Sequence, residues 1–234
     1  MSAVRPLRLV VVAGTATEVG KTWVACALAR ELRGRAVTVA ARKPVQSFLP
    51  HDPTTDADEL AAATGEDPLV VCPPHRRYQV PMAPPMAAAA LGRAPVRLAE
   101  LVDETRAGWP SGDTAVGLVE LAGGVRSPLA EDGDGVDLTR ALDPDAVLLV
   151  ADAGLGTINA VRTTLDALGP LAPRTIVHLN RYDGDDDLHR LNRDWLVTRD
   201  GLTVTTDITD LTERLRGRVP GAPAPGAGVS PAGS

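Results

Sequence analysis

The sequence predicts a single α/β domain with a mostly parallel central sheet and helices on both faces. Three observations carry this reading. Leu7 to Ala13, Ala115 to Leu121 and Ala146 to Ala151 are apolar runs without polar alternation, the pattern of strands buried on both faces. Segments with helical spacing fall between them, as in successive strand–helix–strand units. The chain of 234 residues is long enough to bury a substantial core, and no internal repeat or second hydrophobic unit divides it.

In chain order, Leu7 to Ala13 reads as the first strand and Gly20 to Arg33 as an amphipathic helix. Ala36 to Ala41 is the second strand, and Thr55 to Thr64 fits a short helix closed by Gly65. Residues 66–96 are punctuated by prolines and are expected to cross the surface before a helix near Val96 to Arg106. Thr157 to Leu168 has helical spacing, and Arg174 to Leu179 has strand character. Beyond Asn180, RYDGDDDLHRLNRDW is a charged loop or helix. Residues 217–234 are Gly/Pro/Ala-rich and expected to be disordered, which leaves residues 1–216 as the folded domain.

Composition narrows the function. A hydrophobic content of 44% and a charged content of 23% suit a soluble globular protein. The net charge of −6 argues against a nucleic-acid partner, which usually requires a basic face. No run approaches the roughly 20 apolar residues of a membrane span, and residues 1–9 lack a signal-peptide core, so the expectation is a cytoplasmic protein with no membrane partner. Cys26 and Cys72 have no metal-ligand spacing. Cys26 lies on a helical apolar stripe and is expected to be core.

Of the 24 basic residues only Lys21 and Lys43 are lysines. Where surface charge has drifted so completely to arginine, a lysine marks a place that needs a compact ammonium rather than a guanidinium fork. Both lysines fall in motifs. The first is VVVAGTATEVGKTWVACALARE, residues 10–31, in which a strand delivers Gly14 and a turn opens a helix at Gly20-Lys21-Thr22. This is the context of a phosphate-binding loop, whose backbone N–H groups and helix dipole favour an anion. Lys21 would neutralise β- and γ-phosphates and the Thr22 hydroxyl would ligate magnesium, in an ATP or GTP site. Five residues separate Gly14 from Gly20, one more than the usual loop has.

Lys43, in VAARKPVQS, lies just past the second strand, where Pro44 bars continuation as a central strand. That places it at the carboxyl edge of a parallel sheet, where ligands sit. Ser47 follows on the same loop, as a substrate contact or a solvated serine. Asp56, at a helix start, either caps that helix or ligates magnesium. Glu120 ends a buried strand before Gly123 and Gly124; a charge there is costly unless paired with a cation or metal. It occupies the position of a magnesium-associated acid. The two glycines would let backbone approach a substrate closely. Asp152, ending the next apolar strand, is a weaker candidate of the same kind.

Together, GTATEVGKT with its extra residue, KPVQS, RYQVPMAP, VELAGG and GLGTINA, in this order across residues 8–168, resemble the dethiobiotin synthetases of the phosphate-loop superfamily. The resemblance implies a P-loop fold and a homodimer. It also implies closure of the ureido ring of dethiobiotin from a diamine, 7,8-diaminopelargonic acid, with CO2, ATP and Mg2+. By the same resemblance Gly14, Glu18, Val19, Gly20, Lys21 and Thr22 cradle the nucleotide, and Asn180 lies on its adenine side. Thr22, Asp56 and Glu120 bind magnesium. Thr17, Lys21 and Lys43 stabilise the carbamate and the transferring phosphate. Ser47, Gly123, Gly124 and Val125 hold the diamine, and Gly156, Thr157 and Asn159 reach its carboxylate end from the partner subunit. The longer loop would shift the backbone cradle so that the γ-phosphate meets a carbamate rather than water.

The chain departs from the family at Ala16, Phe48, Leu121 and Ala160. Phe48 and Leu121 add bulk where the family has glycine, which implies an altered diamine pocket. DGLTVTTDITDL stands where the family has its adenine-side G-x-I-P segment, which opens the choice of nucleotide. Three alternatives follow: a divergent paralogue carboxylating a different amine, a nucleotide-switched dimer of the partitioning ATPase type, and an inactive nucleotide-binding protein. The switch proteins carry a second lysine early in the loop, where this chain has Thr15 and Ala16.

Overall fold

The computed structural model describes residues 5–110 and 114–216; the expected disorder of residues 217–234 lies outside them. Strand β1 (Arg8–Gly14) leads through the glycine-rich turn into α1 (Lys21–Gly34) and returns as β2 (Val39–Arg42). Short elements follow: β3 (Gln46–Ser47), α2 (Asp56–Thr64), α3 (Pro68–Val71), β4 (Arg77–Tyr78), α4 (Pro84–Ala90) and α5 (Leu98–Ala107). Then come β5 (Val116–Glu120), the hairpin β6 (Pro128–Ala130) and β7 (Gly133–Asp134), and α6 (Gly135–Leu142). The chain continues through β8 (Ala146–Asp152), α7 (Thr157–Leu168), β9 (Thr175–Asn180), α8 (Asp187–Thr198), β10 (Val204–Thr205) and α9 (Ile208–Arg216).

The expected architecture is present: a parallel six-stranded sheet ordered β10-β9-β8-β1-β5-β2. Period-two alternation sends Leu9, Val11 and Ala13 of β1 into one core and Val10 and Val12 into the other. The first core is closed by Leu101, Leu138, Val161 and Leu196 from α5, α6, α7 and α8. The second is closed by Leu28, Leu60 and Leu211 from α1, α2 and α9. A strand walled on both sides needs no polar alternation, which is why β1, β5 and β8 read as continuous apolar runs.

Two expectations are corrected and one open alternative is decided. The second strand begins at Val39, not Ala36, because Ala36 turns at φ 59° and donates its N–H to the Arg33 carbonyl. Residues 66–96 do not simply cross the surface. Val71, Cys72, Tyr78, Ala87 and Ala88 are all buried, and the prolines start short helices at Pro68 and Pro84 rather than breaking a surface loop. The charged stretch after Asn180 resolves into a helix, α8, capped by Asp186, which accepts from the Leu188 and His189 amides at 2.7 and 3.2 Å.

Parallel strands all present their carboxyl ends on one edge. That edge gathers the turn after Gly14, Lys43 after β2, Glu120 at the end of β5, Asp152 at the end of β8 and Asn180 at the end of β9.

Candidate active site

The turn between β1 and α1 is held by two left-handed residues, Glu18 at φ 60° and Gly20 at φ 91°, the latter capping α1. Gly14 is required by close approach: a Cβ there would lie 2.9 Å from Lys21 Cδ. The Lys21 side chain folds back over the turn and its Nζ donates to the Ala16 carbonyl at 3.0 Å. Burial, and then the neighbouring Lys43 charge, lower its pKa to about 8. The Val19 carbonyl accepts from Asn180 Nδ2 at 2.9 Å, which ties the turn to the end of β9.

Lys43 is 1% exposed and its Nζ lies 2.6 Å from both Glu120 Oε1 and Asp56 Oδ2. Burial works against the ammonium, but the two carboxylates outweigh it and hold Lys43 above the ordinary lysine range. Asp56 also pays a burial penalty, which the Lys43 charge and its hydrogen bonds with Lys43 and Thr22 overcome, leaving its pKa lowered. Burial keeps the Glu120 pKa raised.

Asp56 does not cap α2. Thr55 does, with its N–H and hydroxyl both donating to Asp58 at 2.8 Å, which leaves Asp56 free to face Lys43. The Thr22 hydroxyl lies 3.0 Å from Asp56 Oδ1 and 2.8 Å from Glu120 Oε1, yet has one proton to give. Glu120 Oε2 is buried with no hydrogen-bond partner among the described residues. The cluster therefore has unsatisfied carboxylate lone pairs beside a hydroxyl.

A cleft of about 930 Å³ opens over this cluster, with Thr17, Lys21, Lys43, Ser47, Asp56 and Gly123 among its walls. Ser47 donates its hydroxyl to the Met82 carbonyl at 2.6 Å. A second cleft of about 610 Å³ joins Thr17, Gly124, Val125, Asn159 and Ala160. A third, of about 510 Å³, lies beside Gly20, Trp23, His178, Asn180 and Asp207. Of the expected site residues, Gly14, Val19, Gly156 and Thr157 line none of the three. Gly156 is the left-handed N-cap of α7 and Thr157 is buried.

The departures separate in the same way. Phe48 stands in the first cleft, with the Arg77 guanidinium 5.9 Å from its ring centre. Leu121 is 1% exposed and packs into the core against Gly135, so it adds no bulk to a cleft, contrary to expectation. Asp152 stands apart, accepting from Gly154 N at 2.8 Å and pairing with Arg181. The sequence reading missed Trp23, Arg126, His178, Arg181 and Asp207 as cleft residues. An arginine among 22 carries no signal, and the 58% exposure of Trp23 on an amphipathic helix is visible only once the helix is placed.

A strand-to-helix phosphate loop on a parallel sheet, with a buried acid ending a neighbouring strand, defines a P-loop nucleotide-binding protein. The AAA domain family model matches residues 8–206. Curated relatives narrow this further. The ATP-dependent dethiobiotin synthetase BioD of Caulobacter vibrioides is 39% identical over 67% of this chain and 72% of its own length. That of Anaeromyxobacter dehalogenans is 40% identical over 77% and 80%, and that of Rhodococcus jostii 40% over 69% and 68%. The chain belongs to the dethiobiotin synthetase family. Among solved structures, the signal recognition particle receptor FtsY of Elizabethkingia anophelis aligns with a TM-score of 0.50 at 16% identity, over 89% of this chain. The chain spans 62% of that protein, less than two thirds, and the likeness is one of fold.

Proposed function

We propose that this protein is an ATP- and Mg2+-dependent cyclo-ligase that carboxylates 7,8-diaminopelargonic acid and closes it to dethiobiotin. One amine takes up CO2 as a carbamate, the γ-phosphate passes to a carbamate oxygen with release of ADP, and the second amine attacks the mixed anhydride and expels phosphate. The observation that carries the reading is Lys43. Its buried ammonium, 2.6 Å from two carboxylates, lines the same cleft as Lys21. A phosphate moving onto a carbamate brings two anions together, and a second buried ammonium beside Lys21 suits that charge.

Lys21 and the backbone of Gly14 to Thr22 hold the phosphates. Lys43 and Thr17 hold the carbamate against them, which supplies positioning and charge compensation without covalent help. The unpartnered Oε2 of Glu120 and the doubly approached Thr22 hydroxyl fit a divalent cation. Thr22, Asp56 and Glu120 would hold magnesium, which would neutralise phosphate charge when bound. Ser47, Gly123, Gly124 and Val125 hold the diamine. Gly156, Thr157 and Asn159 reach its carboxylate end from a second subunit, so the working unit is a homodimer. Among the described residues no helix is long and apolar enough to cross a membrane, in keeping with a cytoplasmic enzyme acting on small molecules.

Purified protein incubated with ATP, Mg2+, labelled bicarbonate and diaminopelargonic acid is expected to yield acid-stable label in dethiobiotin, and Lys43→Ala to yield none. Tight ATP binding without label would overturn the reading. Phe48 in the cleft would then direct the search to a different amine.

A further inference from the structure

Gln46 lies three residues beyond Lys43 and is 2% exposed. Burying an amide is costly unless both of its ends find partners. Here both do, and the partners flank a single residue. Gln46 Oε1 accepts from the Ala57 amide at 3.1 Å, and its Nε2 donates to Thr55 Oγ1 at 3.1 Å. Chemistry fixes the orientation of this amide. The Ala57 N–H can only donate, and the Thr55 hydroxyl gives its own proton to Asp58 Oδ2 at 2.8 Å, so it must accept. Between the two gripped residues stands Asp56.

Asp56 needs such a hold. Its side chain is 45% exposed, so packing does not set its place, and the chain leading to it, residues 49–54, is exposed throughout. Its carboxylate nevertheless stands 2.6 Å from Lys43 Nζ and 3.0 Å from the Thr22 hydroxyl. Helix α2 does not need Gln46 as a cap, because Asp58 already takes the Thr55 N–H and hydroxyl. The anchor itself is braced. Gln46 pairs with Arg77 across β3 and β4, and Arg77 Nη2 donates at 3.0 Å to the same Thr55 oxygen. With two donors received and one proton given, that hydroxyl is saturated.

We propose that Gln46 is a positioning residue for Asp56: its buried amide grips the residues on either side and fixes that carboxylate against Lys43 and Thr22. Pro44 and the buried Val45 stiffen the span between Lys43 and Gln46, so one short segment sets both the ammonium and its partner. The inference rests on the cation site of the proposed function, but not on which amine is carboxylated.

Gln46→Met keeps the shape and removes both bonds. The control is Arg33→Met, which loosens the far end of α2, where Arg33 Nη1 donates to the Ala63 carbonyl at 2.9 Å. Because the chain has only two lysines, full-length protein labelled with 13C at lysine Cε gives one signal each for Lys21 and Lys43. Lys43→Arg identifies the second. Without nucleotide or metal, Gln46→Met is expected to shift the Lys43 signal toward that of a solvated lysine, and Arg33→Met to leave it in place. Titration of Mn2+ into the ATP-loaded chain, read by electron paramagnetic resonance, is expected to show Kd raised about tenfold for Gln46→Met only. Its kcat falls about tenfold with KM for the diamine unchanged. Gln46→Asn, with the same amide one methylene short, carries the same expectations where the methionine variant does not fold. A Lys43 signal unmoved while the melting temperature drops would overturn the proposal, as would a wild-type Kd for Mn2+ or equal effects from Arg33→Met. If the wild type forms no dethiobiotin, the proposed reaction fails while the lysine spectrum still decides the role of Gln46.

Discussion

Lys43 Nζ and Glu120 Oε1 lie 2.6 Å apart with both side chains 1% exposed, so each is the other's solvent. Removing one partner leaves a buried charge, which typically costs about 3–5 kcal/mol. Lys43→Met is expected to destabilise the fold by about 3 kcal/mol in urea unfolding. Glu120→Gln should cost less, because Lys43 keeps Asp56 at 2.6 Å. The double variant should cost clearly less than the sum, since neither leaves the other stranded. Additive losses would show that the two groups are not coupled.

Gly20→Ala is expected to be severe. The backbone is at φ 91° and the new Cβ would stand 2.1 Å from Asn180 Nδ2, which already holds the Val19 carbonyl. A loss of about 2 kcal/mol, with weakened ATP binding, is expected from strain plus displacement of the helix start. Gly92→Ala is the control: it shares a positive φ of 63° but has nothing within 4 Å of its Cβ. Its cost should be backbone strain alone, about 1 kcal/mol. Equal losses would mean that the Asn180 contact is yielding.

His178 gives the protein a pH signature. Burial lowers its pKa to about 4, and its Nδ1 lies 2.9 Å from Thr205 Oγ1. The unfolded imidazole, near 6.5, binds its proton first, so between about pH 6.5 and 4 the unfolded state holds more protons and stability falls as pH falls. The His178-dependent part of the loss should reach about 3 kcal/mol by pH 4 and grow no further below it. Comparing wild type with His178→Asn by urea unfolding at several pH values isolates this from carboxylate effects. Parallel curves would sink it.

Both cysteines should be inert in the native state. Cys26 and Cys72 are buried, and burial pushes both thiols up to about 12. A water-soluble thiol reagent at neutral pH is expected to add no mass to the folded chain and two labels in urea. One label on the native protein would mean that one helix opens locally.

Much of the fold and the loop chemistry was legible along the chain. The turn from Gly14 to Thr22 is local: glycine placement, a preceding apolar run and a following helical stripe declare it without any distant contact. Lys43 was visible because lysine is scarce, and Glu120 because a carboxylate ends an apolar run. Asp56 was not assignable, since capping and facing a cation share one sequence position. Leu121 was misplaced because a residue after a strand gives no sign of which side it turns to. The region after Asn180 was opaque because its charge pattern suits a loop and a helix equally.

The sequence by itself determined the sheet, the phosphate loop and the inventory of charged groups, because strand and helix periodicities and turn chemistry are set by neighbours along the chain. Only the tertiary structure decided which of those groups meet. Lys43 and Glu120 are 77 residues apart, and Thr22 and Glu120 are 98 apart. Their contact depends on β5 lying between β1 and β2, an order no local pattern encodes. The same holds for Arg181, one arginine among many until the end of β9 brings it against Glu18.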